Sequence, residues 1–177
     1  MKENFDKVMG YILQSEGGFV NDPRDPGGIT NHGVTKKVWD DYVGRETTEQ
    51  EMRDLTEDDV KPLYKKNYWN VVGGDSLPDG VDYAVMDYAV NSGTSRAIRA
   101  LQTALGLDAD GVIGPLTLKS ASEANAKDLA EKICEERLAF MKQAKNPKTG
   151  SLLWDVYGKG WGNRVELVQT RCNEMTA

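Results

Sequence analysis

Glu16, Asp25 and Thr30 are the side chains of this sequence whose types and spacing could carry chemistry. Glu16 falls where a helical pattern stops. The C-terminal end of a helix bears partial negative charge, which disfavours ionisation of a neighbouring carboxyl, and partial burial against Phe19 would act in the same direction. A carboxylic acid kept protonated near neutral pH is what a glycosidase uses to protonate its leaving oxygen. Asp25 follows nine residues later, beyond a turn, and a loop that folds back would face it toward Glu16 across a cleft. Two carboxyls flanking a scissile bond are the usual glycosidase pair. The Thr30 hydroxyl, five residues further on, could orient a water. Asp22 and Asp25 also stand beside prolines, where such residues shape turns, so spacing alone leaves both readings open.

The elements that must position these groups are short. Phe5, Val8, Met9, Ile12 and Leu13 recur at helical spacing behind Asn4, a good N-cap, which predicts a helix from Asn4 to about Ser15 that stops at Gly17-Gly18. Two prolines and four glycines between Gly17 and Gly28 forbid a helix there. Phe19-Val20 and Ile29-Thr30 flank that stretch as a small hairpin or irregular β element. From Thr35 onward the pattern is helical in short pieces. Thr35 caps one helix, Thr48 with Glu51 forms a capping box for the next, and Thr56 starts a third carrying Val60, Leu63, Tyr64, Tyr68 and Trp69. Asp79 and Thr94 start two more, Pro115 stands at the first position of another, and Asn125 to Ala144 is the longest, with Leu129, Ile133, Leu138 and Met141 facing inward. Trp154 and Tyr157 fall in a short helix that Gly158 to Gly162 separates from a last one, Asn163 to Asn173. The fold class expected is all-α, mainly helical, with a small β-hairpin or loop element near the N-terminus.

The 177 residues suffice for a real hydrophobic core, and no stretch approaches a membrane span. Residues 1–75 carry 10 basic and 15 acidic side chains, net −5, whereas residues 76–177 are close to neutral at net −1. An acidic chain without a basic run is a poor partner for a phosphate backbone, so nucleic acid is excluded as a partner. Most of the acidic excess lies between Asp40 and Asp59 and reads as a solvated helical face. The single histidine, His32, cannot build a two-histidine zinc site, and Cys134 and Cys172 sit in helical patterns as buried or free structural thiols. Asp108-Ala109-Asp110-Gly111 lacks the later bidentate acid of a calcium loop. No metal and no cofactor is expected.

The run from Glu16 to Thr35 resembles the N-terminal signature of glycoside hydrolase family 108. Its Glu-Gly-Gly-aromatic start (Glu16 to Phe19), its Asp-x-Gly-Gly-x-Thr middle (Asp25 to Thr30) and its Gly-[Ile/Val]-Thr end (Gly33 to Thr35) are all present. The resemblance implies a lysozyme-like N-acetylmuramidase of the kind common among phage endolysins, with Glu16 as its catalytic glutamate. The Glu, Asp and Thr spacing is also similar to that of phage-type lysozymes, which implies roles for Asp25 and Thr30. No chemistry is assigned to His32. In the second half, Ala89 to Gly93 is similar to the start of the peptidoglycan-binding region that usually follows in this family, and Ala100 to Gly106 with Asp110 to Thr117 resembles the Leu-Gln-x-x-Leu-Gly and Asp-Gly-x-x-Gly-Pro-x-Thr pattern of wall-binding modules, although the same residues could be a helical scaffold alone. Phe19, Asn91, Trp154 and Trp161 are the candidate substrate contacts. Asn91 could instead cap its helix, and the tryptophans could be ordinary packing.

The resemblance thus implies a peptidoglycan hydrolase cleaving the β-1,4 bond between N-acetylmuramic acid and N-acetylglucosamine. Residues 1–75 would form the muramidase region, and residues 76–177 a helical peptidoglycan-binding region packed on it as one compact unit. The expected partner is bacterial peptidoglycan, met by a monomer that does not insert into membranes. With no signal peptide evident, the protein would stay in the host cytoplasm until a separate holin released it to the periplasm and wall. A non-catalytic peptidoglycan-binding or secretion-associated protein is the alternative. Because wall material is itself acidic, long-range attraction cannot recruit this chain. Binding of the full-length protein to purified walls should therefore hold or improve as salt rises from low to physiological, as a sedimentation assay would show. A steep loss with salt would reveal an attractive basic patch.

Overall fold

A computed structural model describes residues 4–24 and 27–177. Asp25 lies outside the described residues. The described chain is mainly helical, and its contacts divide it into two compact units, one within residues 5–67 and the other formed by Asn4 with residues 68–177.

The first unit begins with α1, Asn4–Ser15, whose Phe5, Val8, Met9, Ile12 and Leu13 are all buried. Burying side chains of this size stabilises the folded state by about 1.5–3 kcal/mol each, before the entropy of ordering them is subtracted. Three short antiparallel strands follow: β1 (Val20–Asn21), β2 (Ile29–Asn31) and β3 (Val34–Thr35), with β2 in the middle. The expected hairpin is thus extended by a third strand. Thr30 pairs with Val20 on one side and Thr35 on the other.

Helix α2, Lys36–Val43, starts at Thr35, whose side chain accepts from the Val38 amide. Helices α3 (Glu49–Arg53) and α4 (Glu57–Tyr64) open with complete capping boxes, Thr48 with Glu51 and Thr56 with Asp59. The acidic stretch is largely absorbed by such local pairing. Lys36 and Thr47 hold Asp40 down to about 2, and Arg45 with Thr48 holds Glu51 at about 2. A π-helical turn, Lys65–Trp69, carries the chain out of this unit.

The second unit is built on α5, Val81–Ser92, in which every residue from Val81 to Ala89 is buried. A helix covered on all sides must be apolar all round or must pair its charges. Here Asp82 and Asp87 are both fully buried. Asp82 accepts from the amides of Gly80 and Tyr83 and from Asn4, and burial still pushes its carboxyl up. The residue that caps α5 is Gly80 and not Asp79.

Around α5 pack α6 (Thr94–Ala104), α8 (Ala126–Gln143) and α9 (Trp154–Met175), with α7 (Pro115–Glu123) against α8. The Asp87 carboxylate receives Arg137 from α8 at 2.7 Å and Arg164 from α9 at 2.5 Å. This pairing corrects the inward stripe expected for α8. Arg137 takes the buried position and Leu138 is only half-buried, because the buried acid requires a cation there. Cys134 and Cys172 are free, buried thiols.

The expected break at Gly158 to Gly162 is absent, and α9 runs through it. The reason is local packing. A Cβ on Gly158 would lie 2.6 Å from the Trp154 ring, so the bare backbone accommodates the indole along the helix's own surface. At Gly160 the same Cβ meets nothing within 4 Å. Alanine is favoured over glycine in a helix by up to about 1 kcal/mol, whereas overpacking costs about 1–3 kcal/mol. Gly160→Ala should raise the urea midpoint of unfolding and Gly158→Ala should lower it.

Candidate active site

Glu16 sits immediately after α1, and its amide still closes the last turn by donating to the Ile12 carbonyl at 3.0 Å. The side chain is half-buried. What it meets is the connection between β2 and β3. Asn31 pairs with Val34, which leaves His32 and Gly33 as a two-residue turn with φ of 48° and 76°. Both residues at positive φ is the pattern whose twist suits tight hairpins. Left-handed backbone is uncommon outside glycine, and here the surroundings hold it. His32 Nε2 lies 2.9 Å from the Leu55 carbonyl, and the His32 carbonyl accepts from the Tyr64 hydroxyl at 2.9 Å. Asn31 donates to the Met52 carbonyl at 2.9 Å.

The turn, in being so held, presents Gly33 to the carboxyl. A Cβ built on Gly33 would fall 2.5 Å from the Tyr64 hydroxyl, 2.9 Å from Glu16 Oε2 and 3.0 Å from Glu16 Cδ. The carboxyl therefore rests on bare turn backbone, with a phenol beside it. A carboxyl so placed can hand a proton to a bound oxygen.

The other candidates are placed as follows. Thr30 is half-buried in the central strand. Phe19 is half-buried with the Arg53 guanidinium 3.9 Å over its ring. Asp22 accepts from the backbone and side chain of Arg24, which lowers its carboxyl, so this acid shapes the turn. Sequence reasoning missed Tyr64, whose stripe position resembles any core aromatic, and the fit between Gly33 and Glu16, which spans 17 positions in the chain.

In the second unit the Asn91 amide donates to the Asp87 carbonyl at 2.8 Å. Trp154, Tyr157 and Trp161 cluster on α9, with centroids 6.4 Å apart for the tryptophans and 5.5 Å for Tyr157 with Trp161. Tyr157 is exposed and both tryptophans are half-buried. A groove of about 420 Å³ runs beside Trp154, lined also by Lys142, Gly158, Gly162 and Gln169. In the segment Asp110 to Thr117, buried Gln102 is the organising side chain. It donates to Asp110 at 2.7 Å and to the Val112 carbonyl at 3.1 Å, and accepts from the Gly111 amide at 2.9 Å. Asp110 also receives the Val112 amide, which makes it a turn-former. Among the described residues no group of three metal-ligating side chains gathers, and no helix is long and apolar enough to cross a membrane.

The glycosyl hydrolase 108 family model matches residues 9–93. A solved structure, that of SagA from Brucella abortus, is 39% identical, with 99% of this chain and 97% of that chain covered at a TM-score of 0.84. The chain belongs to the glycosyl hydrolase 108 family. A second model, for a peptidoglycan binding domain, matches residues 82–120. No curated protein matches the chain.

Together the two family matches make this member of the glycosyl hydrolase 108 family a peptidoglycan hydrolase, with peptidoglycan as its substrate. The two matches overlap on α5, and Glu16, Thr30, Gly33 and Tyr64 all fall within the hydrolase match, whereas α8 and α9 lie outside both. The Gln102 network shows that the second motif is at least a scaffold for its own loop. Gln102→Met should cost about 2–3 kcal/mol by stranding the loop's polar groups. Urea unfolding would show the loss, and amide exchange would locate it at residues 108–114.

Proposed function

We propose that this peptidoglycan hydrolase is an N-acetylmuramidase, a lysozyme in which Glu16 is the general acid. The observation that carries the reading is the seating of the Glu16 carboxyl at the end of α1 against the His32–Gly33 turn. Glu16 protonates the oxygen of the β-1,4 bond between N-acetylmuramic acid and N-acetylglucosamine, which leaves with the N-acetylglucosamine, as positive charge develops on the N-acetylmuramic acid ring. Asp25 stabilises that charge or, with Thr30, activates the attacking water.

Catalysis is assigned to residues 1–75 and wall contact to residues 76–177. Phe19 is a substrate contact in the first unit, and Asn91, in the second, is a contact to acetamido groups. Trp154 and Trp161 offer aromatic surface on which sugar rings stack, in keeping with their cluster beside the α8–α9 groove. In its biological setting the protein acts as a phage endolysin. It works as a monomer, is made in the host cytoplasm, and reaches the wall when a holin opens the inner membrane.

Glu16→Gln keeps the shape and hydrogen bonding of the side chain but removes the acidic proton. Its lysis rate should fall by about 10²–10⁴-fold with an unchanged circular dichroism spectrum. Wall digests by the wild type should yield fragments with N-acetylmuramic acid at the reducing end in mass spectrometry. Near-normal lysis by the variant, or reducing-end N-acetylglucosamine, would overturn the reading.

A further inference from the structure

The contact between the Glu16 carboxyl and position 33 carries a function of its own. We infer that Gly33 is a positioning residue for Glu16: the His32–Gly33 turn is the seat of the carboxyl, and Tyr64 holds that seat in place. The inference rests on the reading of Glu16 as the general acid.

Two demands meet at position 33. The turn requires a left-handed backbone, φ 76°, which glycine adopts without penalty. That demand alone would explain a glycine. The second is space, since an added Cβ would fall within 3.0 Å of three atoms belonging to Glu16 and Tyr64. Gly44 separates the two demands. It has φ 75° in the same unit, yet its Cβ would meet nothing within 4 Å.

The seat is rigid because three side chains tie it to other elements. Asn31 reaches the Met52 carbonyl, His32 the Leu55 carbonyl, and Tyr64 the His32 carbonyl. Tyr64 is 1% exposed, so its hydroxyl comes from a fixed wall. A side chain at 33 cannot be absorbed by movement of the turn, and the Glu16 carboxyl is the group displaced. Proton transfer needs its donor within hydrogen-bond reach of the leaving oxygen, so the displacement reads out in turnover more than in binding.

The test compares Gly33→Asn, Gly33→Ala, Tyr64→Phe and the control Gly44→Ala on soluble glycan fragments, with Glu16→Gln measured alongside. Asparagine tolerates left-handed backbone, so a turn-only role predicts that Gly33→Asn restores activity lost in Gly33→Ala. Positioning predicts the opposite. Gly33→Asn should fold with a melting temperature no lower than that of Gly33→Ala, while kcat falls by roughly 10–100-fold and KM changes little. Gly44→Ala should lose melting temperature and keep kcat. Tyr64→Phe, which adds no atoms and serves if the Gly33 variants do not fold, should lower kcat and move the basic limb of the kcat/KM pH profile. Wild-type kcat in folded Gly33→Asn, or wild-type kcat and pH profile in folded Tyr64→Phe, overturns the inference. If Glu16→Gln is inactive in that case, the general-acid reading stands. An active Glu16→Gln overturns that reading and the inference with it.

Discussion

The second unit depends on one buried negative charge. Asp87 is wholly excluded from solvent in the middle of α5, and such a charge is tolerable only when paired. Its two cations come from α8 and α9, 50 and 77 residues further along the chain. The pairing therefore fixes which faces of those helices turn toward α5. Arg137 in addition lies over the Tyr88 ring, 5.4 Å from its centroid, and its Nε and Nη2 have no hydrogen-bond partner among the described residues. Apolar packing alone would tolerate rotations of α8 and α9 about their axes. A carboxylate with two guanidinium partners does not, since each rotation strands a charge.

The first unit solves a different problem with the same economy. Its strands are two or three residues long, too short to hold a tight turn in register by ladder bonds alone. Side chains take over. Asn31 fastens the turn to the last turn of α3, His32 to the backbone just after it, and α4 adds the Tyr64 hydroxyl. A loop-borne carboxyl thereby acquires the fixed surroundings that a helix or a longer strand would otherwise give it.

Local signals in the sequence carried far. The threonine caps at Thr35, Thr48 and Thr56, Pro115 at the start of α7 and Asn125 before α8 all mark helix ends, because capping is decided within four residues. The place of Glu16 directly after α1 was legible from the helical pattern and the paired glycines that follow it. Features decided by distant partners were not. Arg137 displaced Leu138 from the interior because of an acid 50 residues away. Gly158 read as a helix breaker, yet the indole of Trp154 makes a bare backbone useful inside the helix. Strand β3, only two residues long, offered no periodicity to read. Tyr64 looked like one more core aromatic because a hydroxyl's partner cannot be seen in a helical stripe.

The two thiols carry a consequence for how the second unit opens. Cys134 on α8 and Cys172 on α9 are both buried, and Cys172 donates to the Gly80 carbonyl at 3.2 Å. Burial pushes the Cys134 thiol up to about 11 and the Cys172 thiol higher still, so neither is a thiolate at neutral pH. A protonated, enclosed sulfur does not react, so any attack by an alkylating reagent must wait for the helix around it to come away. The chain thus contains two native clocks, one on each of the helices that answer to Asp87. The ratio of their labelling rates tells whether α8 and α9 leave the core together or one before the other.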